Sequence, residues 1–336
     1  MNETQAQWAD NLSAAADYLG NGAIEVNMYE TEIADMVRRD SVILTRVNVK
    51  PADGHPHRYF EQTAIAQGGF TDPRNIAPTA TGPTRVERYA PIKGLTAQTN
   101  FGLFDTEVTR QQGQFARVEA TDVEDVTNAI IRAAGPAIYA GTDTSLTTPT
   151  SVQFVGLVNQ ITNKSQIAFG ASIIDGIKAK VASIMANPTY KVRPTAIYIN
   201  PVLGDFIDRE AKAQSIKLDS VNIAAGVTVQ GINTQAGILP LISDPDIGFT
   251  TDTSYGFAAP GTNQANYLAF IVYEPWIEVP VINGGGENTS LLPRLFQLGL
   301  VGDLAAKYVG VWFASVIAKG GSYAHAMVAV TRALPQ

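Results

Sequence analysis

Two of the three histidines stand together as His55-Pro56-His57, a spacing that could begin a metal site. An H-x-H pair supplies two imidazoles, but no third ligand is evident nearby, so these residues read as a solvated loop. His325 follows Ser322 by three residues. A nucleophilic serine needs a base oriented by a third group, and no G-x-S-x-G elbow occurs. Asp244-Pro245-Asp246 could hold a divalent cation, yet two aspartates around a proline more often make a turn. Asp122, Glu124 and Asp125 cluster, and their place at a helix start explains them. Gly284-Gly285-Gly286 lacks the Lys-Ser/Thr of a phosphate loop, and no G-x-G-x-x-G follows a strand. No catalytic, cofactor-binding or metal set emerges. The chain reads as a protein other than an enzyme, with no cofactor.

The 336 residues allow one large domain or two smaller ones and contain no cysteine, which excludes disulfides and thiolate metal sites. A net charge of −7 argues against a dedicated nucleic-acid binder, which needs a basic patch to displace counterions. Charged residues make up 16 %, below the roughly 25 % of an average domain, while apolar residues stand at 45 %. The extra uncharged surface either faces other subunits or belongs to an ordinary Gly/Ala/Thr-rich globular protein. The start, Met1-Asn2-Glu3-Thr4, has neither the basic nor the apolar region of a signal peptide. No window has the ~18 apolar residues of a membrane helix, so no membrane contact is expected.

The elements are read from periodicity. Trp8, Leu12, Ala15 and Leu19 make one face of a short helix, and a second is expected over Glu30–Arg39. A strand follows from Ser41 to Val49. Thr121 and Glu124 have capping-box spacing and begin a helix that Gly135-Pro136 must kink or end. A helix over Ser172–Ala186 buries Ile174, Ile177, Val181 and Ile184. Thr195–Ile199 is a buried strand, and Asn200-Pro201 opens a helix over Val202–Ala213. Tyr267–Tyr273 is a continuous apolar run, the mark of a central strand. Trp276–Val281 continues as strand, with Pro280 at an edge or end. Leu291–Leu334 is mostly β. The order of elements gives an α+β fold.

The segment Gln67–Asn100 stands apart. Gly68, Gly69, Pro73, Pro78, Gly82, Pro83, Pro91 and Gly94 punctuate it, and its apolar residues keep no sustained period. Connections beyond about 12–15 residues without structure of their own are uncommon in compact domains. Yet Phe70, Ile76, Val86, Tyr89, Ile92 and Leu95 give it anchors, and Arg85, Glu87 and Arg88 give it mixed charge. Anchors without a core suggest an arm ordered by a neighbour. Within it, His57–Ala64 and Thr84–Ala90 can pair as an extended hairpin, wet on both faces unless something covers them.

This arrangement resembles the major capsid proteins of tailed bacteriophages, which share the fold first seen in phage Hong Kong 97. The strand and helix start Arg193-Pro194-Thr195-Ala196-Ile197-Tyr198-Ile199-Asn200-Pro201, after Ile177 and Pro188, is similar to a segment of many such proteins. Phe154–Val158 and Phe270–Trp276 sit where that family places comparable segments. The resemblance implies an N-terminal arm over 1–22, the start of a P-domain over 23–51 and an extended E-loop hairpin over 52–101. The P-domain with its spine helix then covers 102–171, an A-domain 172–275, and P-domain and C-terminal strands 276–336. It implies self-assembly into pentamers and hexamers of an icosahedral shell around a phage genome. The intersubunit arm would use Phe70, Ile76, Arg85, Val86, Glu87, Arg88, Tyr89 and Ile92, and Trp8, Leu12 and Leu19 would form a second clamp. The implied partners are many copies of the chain, a scaffolding protein, a portal, a cement protein, and double-stranded DNA held without sequence-specific contacts. The implied location is the virion, assembled in the bacterial cytoplasm. Two other readings stay open: an encapsulin-like compartment, and an α+β enzyme whose long loop is a lid.

Overall fold

The computed structural model describes residues 41–66, 68–74, 82–102, 118–224, 227–282, 291–301 and 305–334. The helices expected over Trp8–Leu19 and Glu30–Arg39, with Trp8, Leu12 and Leu19, lie outside these residues, as does Ile76. The described residues begin with a turn and the strands β1 (Asn48–Pro51), β2 (His57–Ala64), β3 (Thr84–Ala90) and β4 (Lys93–Gly102). Helix α1 (Val118–Ala140), the one-turn α2 (Leu157–Gln160), β5 (Lys164–Ile167), α3 (Ile173–Met185), β6 (Ala196–Ile199) and α4 (Pro201–Ala213) follow. Next come β7 (Asp219–Ala224), β8 (Val227–Thr234), β9 (Gly237–Ser243), β10 (Phe249–Thr250) and β11 (Gln264–Val272). The chain closes with β12 (Ile277–Val281), β13 (Arg294–Val301), β14 (Ala305–Ala314), β15 (Ile317–Ala318) and β16 (Ala326–Ala333).

Strand β11 is the centre of the larger sheet, whose order is β5-β16-β11-β6-β9-β8-β7. It pairs antiparallel with β16 on one side and β6 on the other. Side chains alternate across a strand, so its apolar run serves two cores at once. Ala265, Tyr267, Ala269 and Ile271 join the core under α3 and α4. Leu268, Phe270 and Val272 join the other, with Ile138 and Tyr139 of α1. Each large side chain buried this way contributes about 1.5–3 kcal/mol.

The two helices on this sheet begin where their capping residues dictate. The Ser172 hydroxyl accepts from the Asp175 amide at the start of α3. The Asn200 carbonyl oxygen accepts from the Val202 amide at 2.9 Å at the start of α4. Glu210 of α4 then caps α3 across the interface, taking the amides of Ile173 and Ile174 at 2.8 and 3.2 Å. A carboxylate at a helix N-terminus also suits the helix dipole.

In the second sheet β12 and β13 lie end to end along one side of β14, and β4 takes the other. β1 runs parallel to β12, and β15 pairs with β12 as well. α1 packs across β4 and β14, where Val126 and Ile130 occupy the space a side chain at Gly310 would need. The third sheet is the hairpin of β2 and β3.

Several expectations are corrected. Residues 42–46 form turns in place of the first half of the predicted strand. There the amides of Arg46 and Val47 both reach the Ile43 carbonyl, and the Thr45 hydroxyl reaches Val42. Helix α1 starts before Thr121, at Val118, and continues past Pro136 to Ala140. An internal proline costs about 3 kcal/mol, and the buried Ile130, Ala134, Ile138 and Tyr139 around it offset that. Pro280 lies inside β12 with strands on both sides. Its carbonyl accepts from Ser315, the residue opposite it beyond the Val281–Ala314 pair, so this pair keeps one of its two bonds and the absent amide costs only the other. The stretch Gln67–Asn100 is more regular than its composition implies, because β3 and most of β4 fall within it.

Candidate functional site

The hairpin leaves the body after β1 and returns as β4, so both of its legs rise from the second sheet. Its register pairs His57 with Ala90, Tyr59 with Arg88, and Phe60 with Glu87. Residues opposite each other share a face. One face turns toward the body and buries His57, Tyr59 and Ala90. The other turns outward and shows Phe60, 67 % exposed, and Tyr89, 41 % exposed. The Arg58 guanidinium donates to Glu87 at 3.0 Å on that outer face. Ile65 and Phe70, farther along the arm, are exposed too. Exposed aromatic and aliphatic side chains on one projecting element make an interaction surface that no other described residue covers.

The residues singled out from sequence are divided by this geometry. Tyr89 and Glu87 lie on the outer face with exposed Arg85. Val86 and Arg88 lie on the inner face, and the Arg88 guanidinium donates to Glu61 at 3.1 Å. Ile92 is half-buried at the root, its amide donating to His55 Nδ1 at 3.2 Å. Phe70 stands clear of the rest of the chain.

The inner face was not read from the sequence. Tyr59, Ala90 and Ile317 form a small core with Leu146 against them. Glu61 accepts from the Gly320 amide at 3.2 Å as well as from Arg88. The Lys319 ammonium lies over the Tyr59 ring at 5.7 Å. Burial, with Glu61 nearby, raises the Tyr59 hydroxyl well above the ordinary tyrosine range. The Tyr190 hydroxyl donates to the Thr63 carbonyl at 3.3 Å. These contacts enclose a cleft of about 530 Å³ between hairpin and body. The hairpin root is therefore docked on its own body, which covers the inner of the two faces.

Among the described residues weighed for chemistry, His57, His325 and Asp244 hold structural positions, while Gly284–Gly286 lie outside the described residues. His57 is buried, which corrects its reading as part of a solvated loop. His325 is buried, accepts from the Tyr273 amide at Nδ1 and donates from Nε2 to the Lys319 carbonyl. Burial pushes its pKa down to about 4 despite that carbonyl. Asp244 takes the Asp246 amide at 3.0 Å, the turn expected of Asp-Pro-Asp, and accepts from the Tyr139 hydroxyl at 2.9 Å. No three His, Asp or Glu side chains among the described residues converge as metal ligands.

No family model matches the sequence, and no curated protein does either. Solved structures do. A capsid chain of cyanophage A-1(L) superposes with a TM-score of 0.65 at 11 % identity, over 95 % of this chain and 99 % of that one. The head structure of Helicobacter pylori bacteriophage KHP40 gives 0.64 at 9 % identity, over 94 % and 96 %. This is the phage-capsid fold. The same fold extends to an encapsulin complex from Synechococcus elongatus, with a lower TM-score of 0.55 at 11 % identity over 94 % of each chain.

Proposed function

We propose that this chain is a major capsid protein that assembles as pentamers and hexamers into an icosahedral shell around a phage genome. The observation that carries this reading is the match to a phage capsid chain along nearly the full length of both. The outward face of the hairpin supports it, because Phe60, Phe70 and Tyr89 need a partner that another copy would supply. In this reading the protein is structural and belongs to the virion, assembling in the bacterial cytoplasm. Scaffolding protein, portal and cement protein are its expected partners. The net charge of −7 suits a shell that holds double-stranded DNA without gripping it. A strongly basic inner surface on the assembled particle would contradict that last point.

The encapsulin match favours a second reading, a compartment around an enzyme. A lid over an active site finds no support in the cleft under the hairpin, where the Glu61 carboxylate is held by Gly320 and Arg88. Electron microscopy of the purified protein tests both shell readings. Closed shells are expected, and removal of residues 68–82 should leave folded protein that no longer closes them. A monomer at all concentrations rejects any shell. Nucleic acid inside the particle supports the phage reading, and a packaged protein supports the encapsulin one.

A further inference from the structure

The root of the hairpin holds a group that none of the preceding roles explains. His57, the first residue of β2, is 2 % exposed. Its Nδ1 accepts from the Asp53 amide at 3.4 Å. Its Nε2 is buried and has no hydrogen-bond partner. A neutral imidazole fits this setting, with Nδ1 as acceptor. An imidazolium would aim a second donor at that same amide and leave a charged N–H buried without an acceptor.

Four charged groups act on His57: Lys50 of β1, Asp53 of the turn, Glu278 of β12 and Lys319 beyond β15. Glu278 is already shared by two cations, Lys319 at 2.7 Å and Lys50 on its other oxygen. The Asp53 carboxylate comes within 3.9 Å of Nδ1 but is 90 % exposed, so water screens it. A third cation in this pocket would meet two ammoniums and one carboxylate that is already engaged. His55 also belongs to the root, accepting from the Ile92 amide on the opposite leg, but it is open to solvent.

We propose that the hairpin root is a proton-operated release, in which protonation of buried His57 between Lys50 and Lys319 frees β2 and β3 from the body. Burial first, and Lys50 second, lower the proton affinity of His57. The docked root thus binds a proton less readily than the released one. Docking is complete above the ordinary histidine value of about 6.5 and weakens as pH falls below it. His325 is separated from this window, since its pKa lies near 4. The device concerns the hairpin of the single chain and stands whether or not the shell reading holds.

Hydrogen exchange of the purified full chain, corrected for the intrinsic pH dependence, reads the effect directly. Amides of β2 and β3 are expected to exchange several-fold faster at about pH 5.5 than at about pH 7.5, with β11 unchanged. His57→Gln should abolish that step and His55→Gln should keep it. A flat profile in the wild type, or a step that survives in His57→Gln, overturns the proposal. Should His57→Gln not fold, the wild-type imidazole signals decide. A His57 titrating below 6.5 together with the exchange step supports the release, and one titrating at or above it rejects it.

Discussion

Tyr190 stacks on Tyr323 with ring centroids 3.6 Å apart, and its hydroxyl reaches across to the Thr63 carbonyl of the hairpin. The chain continues through Trp276, edge-on to Tyr323 at 6.2 Å, to Tyr273 at 5.3 Å. One aromatic row thus connects the hairpin to the strand junction between β11 and β12. Tyr190→Phe should remove only the hydrogen bond, about 1 kcal/mol. Tyr190→Ala should also lose the stack, for about 2 kcal/mol in all. Exchange rates in β2 should rise in the order wild type, Phe, Ala.

Lys93 and Asp143 form an ion pair at 2.8 Å with the carboxylate fully buried. Lys93→Met leaves that carboxylate without its counter-charge and should cost about 3 kcal/mol in a thermal or denaturant melt.

The same pair fixes a pH dependence. Burial opposes ionisation of Asp143, but the Lys93 ammonium, with Thr150 and Ser145, outweighs it and lowers the pKa to about 2. The folded value lies below the unfolded one. The stabilisation is therefore full above about pH 4 and lost as pH falls toward about 2. In Lys93→Met the melting temperature should change less across that window.

Gly141 follows α1, and a Cβ there would come within 2.2 Å of the Phe154 carbonyl oxygen and 2.7 Å of that of Ala137. Both neighbours are backbone, which cannot swing aside. Gly141→Ala should cost about 2–3 kcal/mol by overpacking, read as a lower unfolding midpoint.

Glu274 ties the N-terminal turn to the central sheet. Its oxygens accept from Arg46 Nε at 2.7 Å, the Tyr198 hydroxyl at 2.7 Å and the Thr195 hydroxyl at 3.1 Å. Its hydrogen bond and charge raise the Arg46 guanidinium further against the opposing effect of burial. Glu274→Ala should cost about 3 kcal/mol, since it strands several donors at once. Exchange should quicken first over residues 42–47.

The sequence was most informative where one local rule decided the matter. The stripe Ile174, Ile177, Val181 and Ile184 announced α3, and Asn200-Pro201 announced α4, because helical periodicity and a proline at the first position act over a few turns at most. The apolar run of β11 announced a central strand, because only burial on both faces tolerates it. The pairing of β2 with β3 was also legible from two extended stretches around Gly and Pro. Legibility ended where distant contacts decide. Pro136 stays in a helix because its neighbours are buried against β11 and β14 residues far along the chain. His57 is buried within reach of the charges of Glu278 and Lys319, which its own neighbours in sequence do not foretell. The inner face of the hairpin was hidden for the same reason: Gly320, Ile317 and Tyr190 come from elsewhere in the sequence.

Strand β4 pairs with β14 over ten consecutive residue pairs, from Lys93 opposite Ala314 to Gly102 opposite Ala305. The returning leg of the hairpin ends in that ladder. A pull on the arm along the strand loads those rungs in shear, all together, whereas a sideways pull peels them from Lys93 onward one at a time. The arm is accordingly a tether that is strong along its own length and weak across it.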